Sequence, residues 1–119
     1  MLLFKKKFLS TIRSGEKTQT IRLWNVCRMK AGQRSYIPGA GYIRIESVDP
    51  VDLPSLTDED ARPDGFATAD ALRHELATLY ADPLAAGHRA YRVRFVVLSS
   101  EEQAAAIAAR QAAKAASRS

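Results

Sequence analysis

The sequence predicts a single domain of the α+β class, and three observations support this prediction. The chain has 119 residues, the usual length of one domain, and 46% of them are hydrophobic, which suffices for a modest core. Segments 18–24, 42–48 and 91–98 carry the alternation of apolar and polar residues that is typical of strands. Between the last two segments, leucines recur at spacings of four and three, as on one face of a helix.

The N-terminal segment is predicted to form a short strand at 2–4 and then a short helix. Phe8, Leu9 and Ile12 recur at helical spacing. Gly15 follows them and is expected to end the helix in the left-handed conformation that glycine adopts easily. The chain should therefore turn sharply before its first long strand.

Segment 18–24 is predicted to be a half-buried strand whose odd-numbered apolar residues enter the core. This alternation leaves Thr20, Arg22 and Trp24 together on the other face, in a cleft or on the surface. Lys17 would lie on the opposite face from Thr20 in an uninterrupted strand, so we expect Lys17 to belong to the preceding turn.

Three further strands complete the predicted sheet. Glycine-containing turns at 30–33 and 38–41 predict two antiparallel neighbours, a strand through Tyr36 and the strand at 42–48. No helix follows the Gly-x-Gly pattern of the second turn, so this pattern does not predict a phosphate loop. The segment 91–98 is expected to close the sheet.

Two helices are predicted between the strands. Thr57 precedes three acids, which is typical of a helix start because negative charge is favoured at that end. The second helix is predicted at 68–80. Pro, Asp and Gly in the connecting segment 62–66 form a turn, so Asp64 should lie on a loop held between the two helices. The apolar stripe of the second helix consists of Leu72, Leu76 and Leu79.

The composition changes after residue 98. Alanine occupies nine of the thirteen positions 104–116, and Ser99 with two following glutamates supplies a helix start, so a helical tail is predicted. Ile107 is its only large apolar residue, so the tail should bury little. We therefore expect a folded domain at 1–98 and an appended helix at 99–119.

The charge is unevenly distributed along the chain. The 18 basic and 13 acidic residues give a net charge of +5, yet residues 1–44 carry ten basic residues and one acid. Residues 45–84 carry two basic residues and ten acids. A basic N-terminal third is typical of a surface that contacts phosphates, so RNA is a predicted partner. Alternatively, the basic and acidic segments pair with each other across the fold.

The remaining composition predicts a cytoplasmic protein without cofactors. No stretch approaches the roughly 20 apolar residues of a membrane-spanning helix, and we expect no signal peptide and no membrane partner. Cys27 is the only cysteine and cannot form an internal disulfide. His74 and His88 have no third ligand at metal spacing, so no metal site is predicted. The oligomeric state is left open.

The order of these motifs resembles the ASCH domain of the PUA-like superfamily over about residues 3–98. The most specific match is the pattern Gly-x-Lys-Thr-x-Thr-Ile-Arg at residues 15–22, supported by Leu-Thr at 56–57 and Asp-Gly-Phe at 64–66. The resemblance implies a small β-barrel flanked by helices. It also implies that RNA or a modified nucleoside binds in a cleft beside the barrel.

Some small bacterial members of that family are amidohydrolases that remove the acetyl group from N4-acetylcytidine with a Thr, a Lys and a Glu. The resemblance places the Thr on Thr20 and the Lys on Lys17, and it places the Glu on Asp64, which is one methylene shorter. Thr20 would be the nucleophile, and Lys17 would be its base if the pKa of Lys17 lay well below the usual value of about 10.4. Arg22 would stabilise an oxyanion, and Asp64 would orient a group or shuttle a proton.

The sequence therefore predicts three alternative functions. The first is binding of RNA or a modified nucleoside, in which Arg22 contacts a phosphate or a base edge and Trp24 or Tyr36 offers a stacking face. The second is metal-independent amide hydrolysis by Lys17 and Thr20. The third is a protein-interaction module that docks through the alanine-rich tail. In the first alternative the basic approach to the cleft is broadened by Lys5, Lys6, Lys7, Arg28 and Lys30.

Overall fold

A computed structural model describes residues 4–117, and within this range the chain forms an α+β fold of four strands and five helices. The strands are β1 (Gln19–Trp24), β2 (Arg34–Ile37), β3 (Gly41–Pro50) and β4 (Arg89–Val97). The helices are α1 (Leu9–Ser14), α2 (Asp58–Ala61), α3 (Ala69–Leu79), α4 (Ala81–Ala85) and α5 (Ser100–Ala116). Single 3₁₀ turns occur at Lys6–Phe8, Leu53–Ser55 and Arg62–Asp64. No helix in residues 4–117 is both long and apolar enough to cross a membrane.

The four strands form one antiparallel sheet in the order β1-β4-β3-β2, which curls into a half-barrel. A shift in register between Ile45 and Ser47 interrupts the pairing of β3 with β4, and such irregularities increase the local bend of a strand. The predicted antiparallel pairing of β2 with β3 is confirmed. Because β1 is an edge strand, one of its sides is open to the N-terminal segment and the helices.

The core consists of two clusters on opposite faces of the sheet. Ile21 and Leu23 of β1 pack against α2 and α3, which confirms that the odd-numbered apolar residues of this strand are buried. The other cluster includes Val93 and Phe95 of β4 and Ile12 of α1. The helices therefore fix β1 from one side, while α1 and the N-terminal segment cover the other.

The turn between α1 and β1 has the predicted form. Gly15 ends α1 with φ +82°, and its N–H is bonded to the carbonyls of Ile12 and Thr11. The N–H of Lys17 also donates to the Thr11 carbonyl, at 3.0 Å. Lys17 therefore belongs to the turn and not to β1, as expected. The predicted strand at 2–4 falls largely on residues 1–3, outside the described residues.

The structure corrects the end of the predicted leucine stripe. Leu72 and Leu76 are buried, but the side chain of Leu79 is 49% exposed. Leu79 is the last residue of α3, and Tyr80 leaves the helical conformation with φ −122° and ψ 32° before α4 begins. Sequence periodicity did not predict α4.

The predicted helical tail is α5, and it is attached to the sheet. The side-chain amide of Gln103 accepts from the backbone N–H of Tyr42 and donates to its carbonyl, each at 2.8 Å. Ala106 is 2% exposed, whereas Ile107 is 47% exposed. The helix therefore packs through a glutamine and a small residue, and its large apolar residue contributes little.

Candidate functional site

A cleft with a volume of ≈ 390 Å³ opens between the N-terminal segment, β1 and α3. It brings together three of the predicted site residues on or before β1 with the predicted carboxylate of the loop after α2. Aromatic and aliphatic side chains form most of the remaining wall. The lining residues that carry polar groups are Lys5, Lys17, Thr20, Arg22, Asp64, Glu75 and Tyr80.

Lys17 and Asp64 form a buried ion pair at this cleft. Their side chains are 2% and 5% exposed, and Lys17 Nζ lies 2.8 Å from Asp64 Oδ1. Lys17 Nζ also donates to the backbone carbonyl of Asp64. The second carboxylate oxygen accepts from Gln19 Nε2 at 3.3 Å, and the same amide donates to the Asp60 carbonyl at 3.0 Å. Both oxygens of Asp64 are thus held by β1 and the turn before it.

Local sequence explains how Asp64 reaches this position. Thr57 caps α2 in a reciprocal capping box with Asp60, which fixes the start of the helix. Pro63 then lies in the 3₁₀ turn, and Gly65 ends it with φ +94°. The Thr18 N–H donates to the Pro63 carbonyl at 2.9 Å and ties this turn to the start of β1. Asp64 lies on the predicted turn, but it is buried.

Burial lowers the pKa of Lys17 below its ordinary value, because removal from water disfavours the charged ammonium. The Asp64 carboxylate opposes this shift, and the Arg22 guanidinium adds to it. The amine also lies 4.6 Å from the centroid of the Phe8 ring and 5.8 Å from that of Phe4. The direction of the shift is the one that a lysine acting as a base requires.

Thr20 and Arg22 project from the same face of β1. Arg22 Nε donates to Thr20 Oγ1 at 3.1 Å, and the guanidinium lies 4.7 Å from the centroid of the Phe4 ring. Thr20 is 6% exposed. Because the Thr20 oxygen accepts from Arg22, the hydroxyl keeps its own proton for donation to a further acceptor. The cleft therefore combines a hydroxyl, an amine, a guanidinium and a carboxylate.

The predicted binding residues do not all lie at this cleft. Lys5 does, and its Nζ pairs with Glu75 Oε1 at 2.7 Å. Lys6 is exposed and is not among the residues that line the cleft. Trp24 and Tyr36 line two other depressions, both of which α5 borders. The structure thus divides the predicted set between two parts of the surface.

Sequence reasoning missed Gln19 and Glu75. A signal for Gln19 existed, because a polar residue in the core-facing alternation with Ile21 must find a buried hydrogen-bond partner. Glu75 lies beside the apolar stripe of α3, where a carboxylate has no distinctive pattern. Hydrogen bonding to Lys5 lowers the pKa of Glu75, so this acid is charged at neutral pH.

The described part of the chain offers no set of side chains that could bind a metal ion. No group of three or more His, Cys, Asp or Glu side chains in residues 4–117 could hold a metal ion. His74 is exposed on α3, and Cys27 is half-buried.

The small α+β fold of this chain is also found in solved structures. The crystal structure of protein EF3133 from Enterococcus faecalis, described with the DUF984 family, matches with a TM-score of 0.62 and 21% identity over 77% of this chain and 70% of that one. The crystal structure of hypothetical protein PH0355 matches with a TM-score of 0.67 and 12% identity over 81% and 95%. The solution structure of protein PF0455 from Pyrococcus furiosus matches with a TM-score of 0.57 and 13% identity over 82% and 94%.

The TM-scores of 0.57–0.67 show a shared fold, and at 12–21% identity they show the fold alone. No family model and no curated protein matches the chain.

Proposed function

We propose that the chain is an ASCH-type domain of the PUA-like superfamily and that its cleft binds a single modified nucleoside. The observation that carries this proposal is the buried Lys17–Asp64 pair beside Thr20 and Arg22. These four positions are the ones that the ASCH-like motifs single out. The solved structures with the same fold are consistent with this family but do not name it.

The size and charge of the cleft favour a nucleoside over a nucleic-acid strand. A volume of ≈ 390 Å³ lies within the range of about 300–1,000 Å³ for small-ligand pockets. Three lining residues are basic and two are acidic, so the cleft is only weakly attractive to a polyanion. Lys17 and Arg22 are donors, which suits the carbonyl oxygens of a pyrimidine base or of an acyl group on it.

Calorimetric titration with N4-acetylcytidine tests this proposal. We expect saturable binding to the wild type and at least about tenfold weaker binding to Arg22→Ala, because a charged donor in a partly buried site is lost. Arg34→Ala removes the same charge from outside the cleft and is expected to bind normally. Absence of heat with folded wild-type protein, or equal weakening by both substitutions, would contradict the proposal.

Amide hydrolysis is the second candidate, and the lowered pKa of buried Lys17 next to a threonine hydroxyl favours it. Thr20 Oγ would attack the acetyl carbonyl while its proton passes to neutral Lys17. The negative oxygen of the tetrahedral intermediate would face Arg22. The carbon–nitrogen bond would then break, with the proton of Lys17 passing to the leaving cytosine amine. Water would hydrolyse the acetyl-threonine ester and release acetate, and Asp64 would position Lys17 throughout.

A matched pair of substitutions at Thr20 tests the reaction. Thr20→Val keeps the branched shape but removes the hydroxyl, and Thr20→Ser keeps the hydroxyl. We expect chromatography to show cytidine release by the wild type, at least about 100-fold slower release by Thr20→Val, and partial activity of Thr20→Ser. Turnover that survives in Thr20→Val would exclude this mechanism. No release by the wild type would leave binding as the function of the cleft.

A protein-interaction module and a cytoplasmic location stay predictions from the sequence. The side of α5 that carries Gln103 and Ala106 already packs on its own sheet. A docking partner would therefore have to use the exposed side of this helix. Deletion of the tail would also remove these contacts, so it is a poor test of docking.

A further inference from the structure

A second depression lies away from the cleft, between α5 and the sheet, and has a volume of ≈ 910 Å³. We refer to it as the α5 groove. Its helix side consists of Ala106, Ala109, Arg110 and Ala113, and its sheet side includes Trp24, Arg28, Arg34, Ser35 and Tyr42. None of these residues lines the cleft that contains Lys17 and Thr20.

The charge of the α5 groove is of one sign. Arg28, Arg34 and Arg110 line it, and no aspartate or glutamate is among its lining residues in the described part of the chain. The guanidinium groups of Arg28 and Arg34 have no hydrogen-bond or ion-pair partner within residues 4–117. Hydrogen bonding of the Arg110 guanidinium to the Tyr42 oxygen raises the pKa of Arg110 above its ordinary value. Three guanidiniums without acids attract phosphates, and their planar form suits phosphate oxygens.

A buried hydroxyl lies in the wall of the groove. Ser35 is 9% exposed, and its Oγ has no hydrogen-bond partner among the described residues. This Oγ is itself closed to solvent, so Ser35 is part of the wall of the groove and the contacts to a ligand fall to the exposed arginines. Ser35 lies on β2 and lines the same groove as the three arginines.

The aromatic residues of the groove suit the faces of bases. Trp24 is partly buried against Tyr91, with ring centroids 5.7 Å apart, and still lines the groove. The backbone of Tyr42 is held by Gln103 of α5, and its ring lies tilted against Tyr36 of the adjacent depression, with centroids 5.2 Å apart. Aromatic faces interleaved with arginines are typical of surfaces that bind single-stranded nucleic acid.

We propose that the α5 groove binds a single strand of nucleic acid, with Arg28, Arg34 and Arg110 on the phosphates and Trp24 against a base. This site is distinct from the nucleoside cleft and does not depend on the function proposed for it. A duplex would hide the base faces from Trp24, so the strand must be single. Contacts to phosphates and base faces carry little sequence information, so little sequence preference is expected.

The test is a titration of the full chain with a short fluorescein-labelled single-stranded RNA, followed by anisotropy over a salt series. Three phosphate contacts predict a slope of log affinity against log salt of about −2. Arg34→Gln and Arg110→Gln should each weaken binding about five- to tenfold and reduce the slope by about 0.7. Lys6→Gln changes the net charge equally but lies outside the groove, so it should bind nearly as the wild type does.

Trp24 provides a second readout, because it is the only tryptophan of the chain. Stacking of a base should quench its fluorescence on titration with unlabelled RNA, with the same midpoint as the anisotropy. Comparable binding of single-stranded DNA would support contacts to phosphates and base faces. Tighter binding of duplex RNA, equal weakening by Lys6→Gln, or no binding would each overturn the proposal.

The failure of this proposal is distinguishable from failure of the nucleoside proposal. If Arg22→Ala abolishes RNA binding while Arg34→Gln and Arg110→Gln do not, the strand occupies the cleft and the α5 groove is not its site. If N4-acetylcytidine does not bind but the arginine variants behave as expected, RNA binding in the α5 groove is supported and nucleoside binding in the cleft is contradicted.

Discussion

Lys17 and Asp64 are both removed from water, and burying two charges costs free energy that only a close contact offsets. Their contact is supported by Gln19, which occupies the second oxygen of the carboxylate. Lys17 additionally bonds the backbone of the turn that carries Asp64. At the scale of the residue, the pair therefore joins the turn after α1 to the turn after α2.

Replacing Lys17 by methionine is expected to lower the free energy of unfolding by about 3–5 kcal/mol, because Asp64 would stay buried without its partner. The loss should depend on pH. Folding lowers the pKa of Lys17 below the value of about 10.4 that it has in the unfolded chain. At a pH between the folded and the unfolded pKa, Lys17 is protonated in the unfolded chain and neutral in the folded one, so the unfolded chain binds more protons. The stability of the wild type relative to Lys17→Met should therefore rise with pH in this window.

Urea denaturation of both proteins at several alkaline pH values measures this difference. A difference that stays constant or falls as the pH rises would show that the pKa of Lys17 is not lowered by folding.

The sequence predicts much of the cleft at this scale, and the exceptions have a physical reason. The turn at Gly15 and the alternation in β1 together predict that Lys17 and Thr20 lie near each other. The partnership of Gln19 with Asp64 was not predicted, because alternation assigns a position to the core without identifying the polar group that it meets there. The burial of Asp64 likewise depends on contacts across 47 positions of the chain.

At the scale of the element, α5 has few large apolar residues, so polar contacts and one small residue hold it. Gln103 replaces a strand partner for Tyr42 by bonding both its N–H and its carbonyl. A reciprocal capping box between Ser99 and Glu102 fixes the start of the helix. The start of α5 was predictable from this local pattern. Its attachment to Tyr42 was not, because a glutamine in an alanine-rich helix carries no signal of its partner.

Gln103→Ala is expected to destabilise α5 by about 1–3 kcal/mol, because two hydrogen bonds are lost and the Tyr42 N–H is left unpaired, while its carbonyl still accepts from the Leu98 N–H. Hydrogen exchange of the amides of α5 should then become faster. Gln111→Ala is the matched control on the exposed part of the same helix and should leave exchange unchanged. Equal rates in Gln103→Ala and the wild type would contradict the proposed attachment.

The end of α3 illustrates what element-scale patterns miss. The spacing of Leu72, Leu76 and Leu79 continues one stripe, yet the helix ends where Leu79 would join the core. Proline can occupy the first turn of a helix, so Pro83 is compatible with the short α4 that follows. Tyr80, just after this boundary, packs partly buried against the core cluster of Ile21 and Leu72, and periodicity alone does not predict that contact.

At the scale of the whole molecule, the fold redistributes the charges of the sequence. Part of the basic N-terminal third pairs with the acidic middle, through Lys5 and Lys7 with Glu75 and through Lys17 with Asp64. This agrees in part with the alternative that the two segments pair across the fold. The α5 groove instead combines arginines from the first and last thirds of the chain. Total charge could not predict this grouping, because the sheet order and the docking of α5 determine it.

The measurement that tests the cleft most directly is a titration of ¹⁵N-labelled protein with N4-acetylcytidine, followed by the shifts of assigned amide resonances. We predict saturable shifts at Lys17, Thr20 and Gly65, which border the buried ion pair, in proportion to bound ligand. The amides of Ser35 and Ala109 in the α5 groove should not move. Unchanged cleft resonances at saturating ligand, or shifts confined to the α5 groove, would contradict nucleoside binding at Lys17 and Asp64.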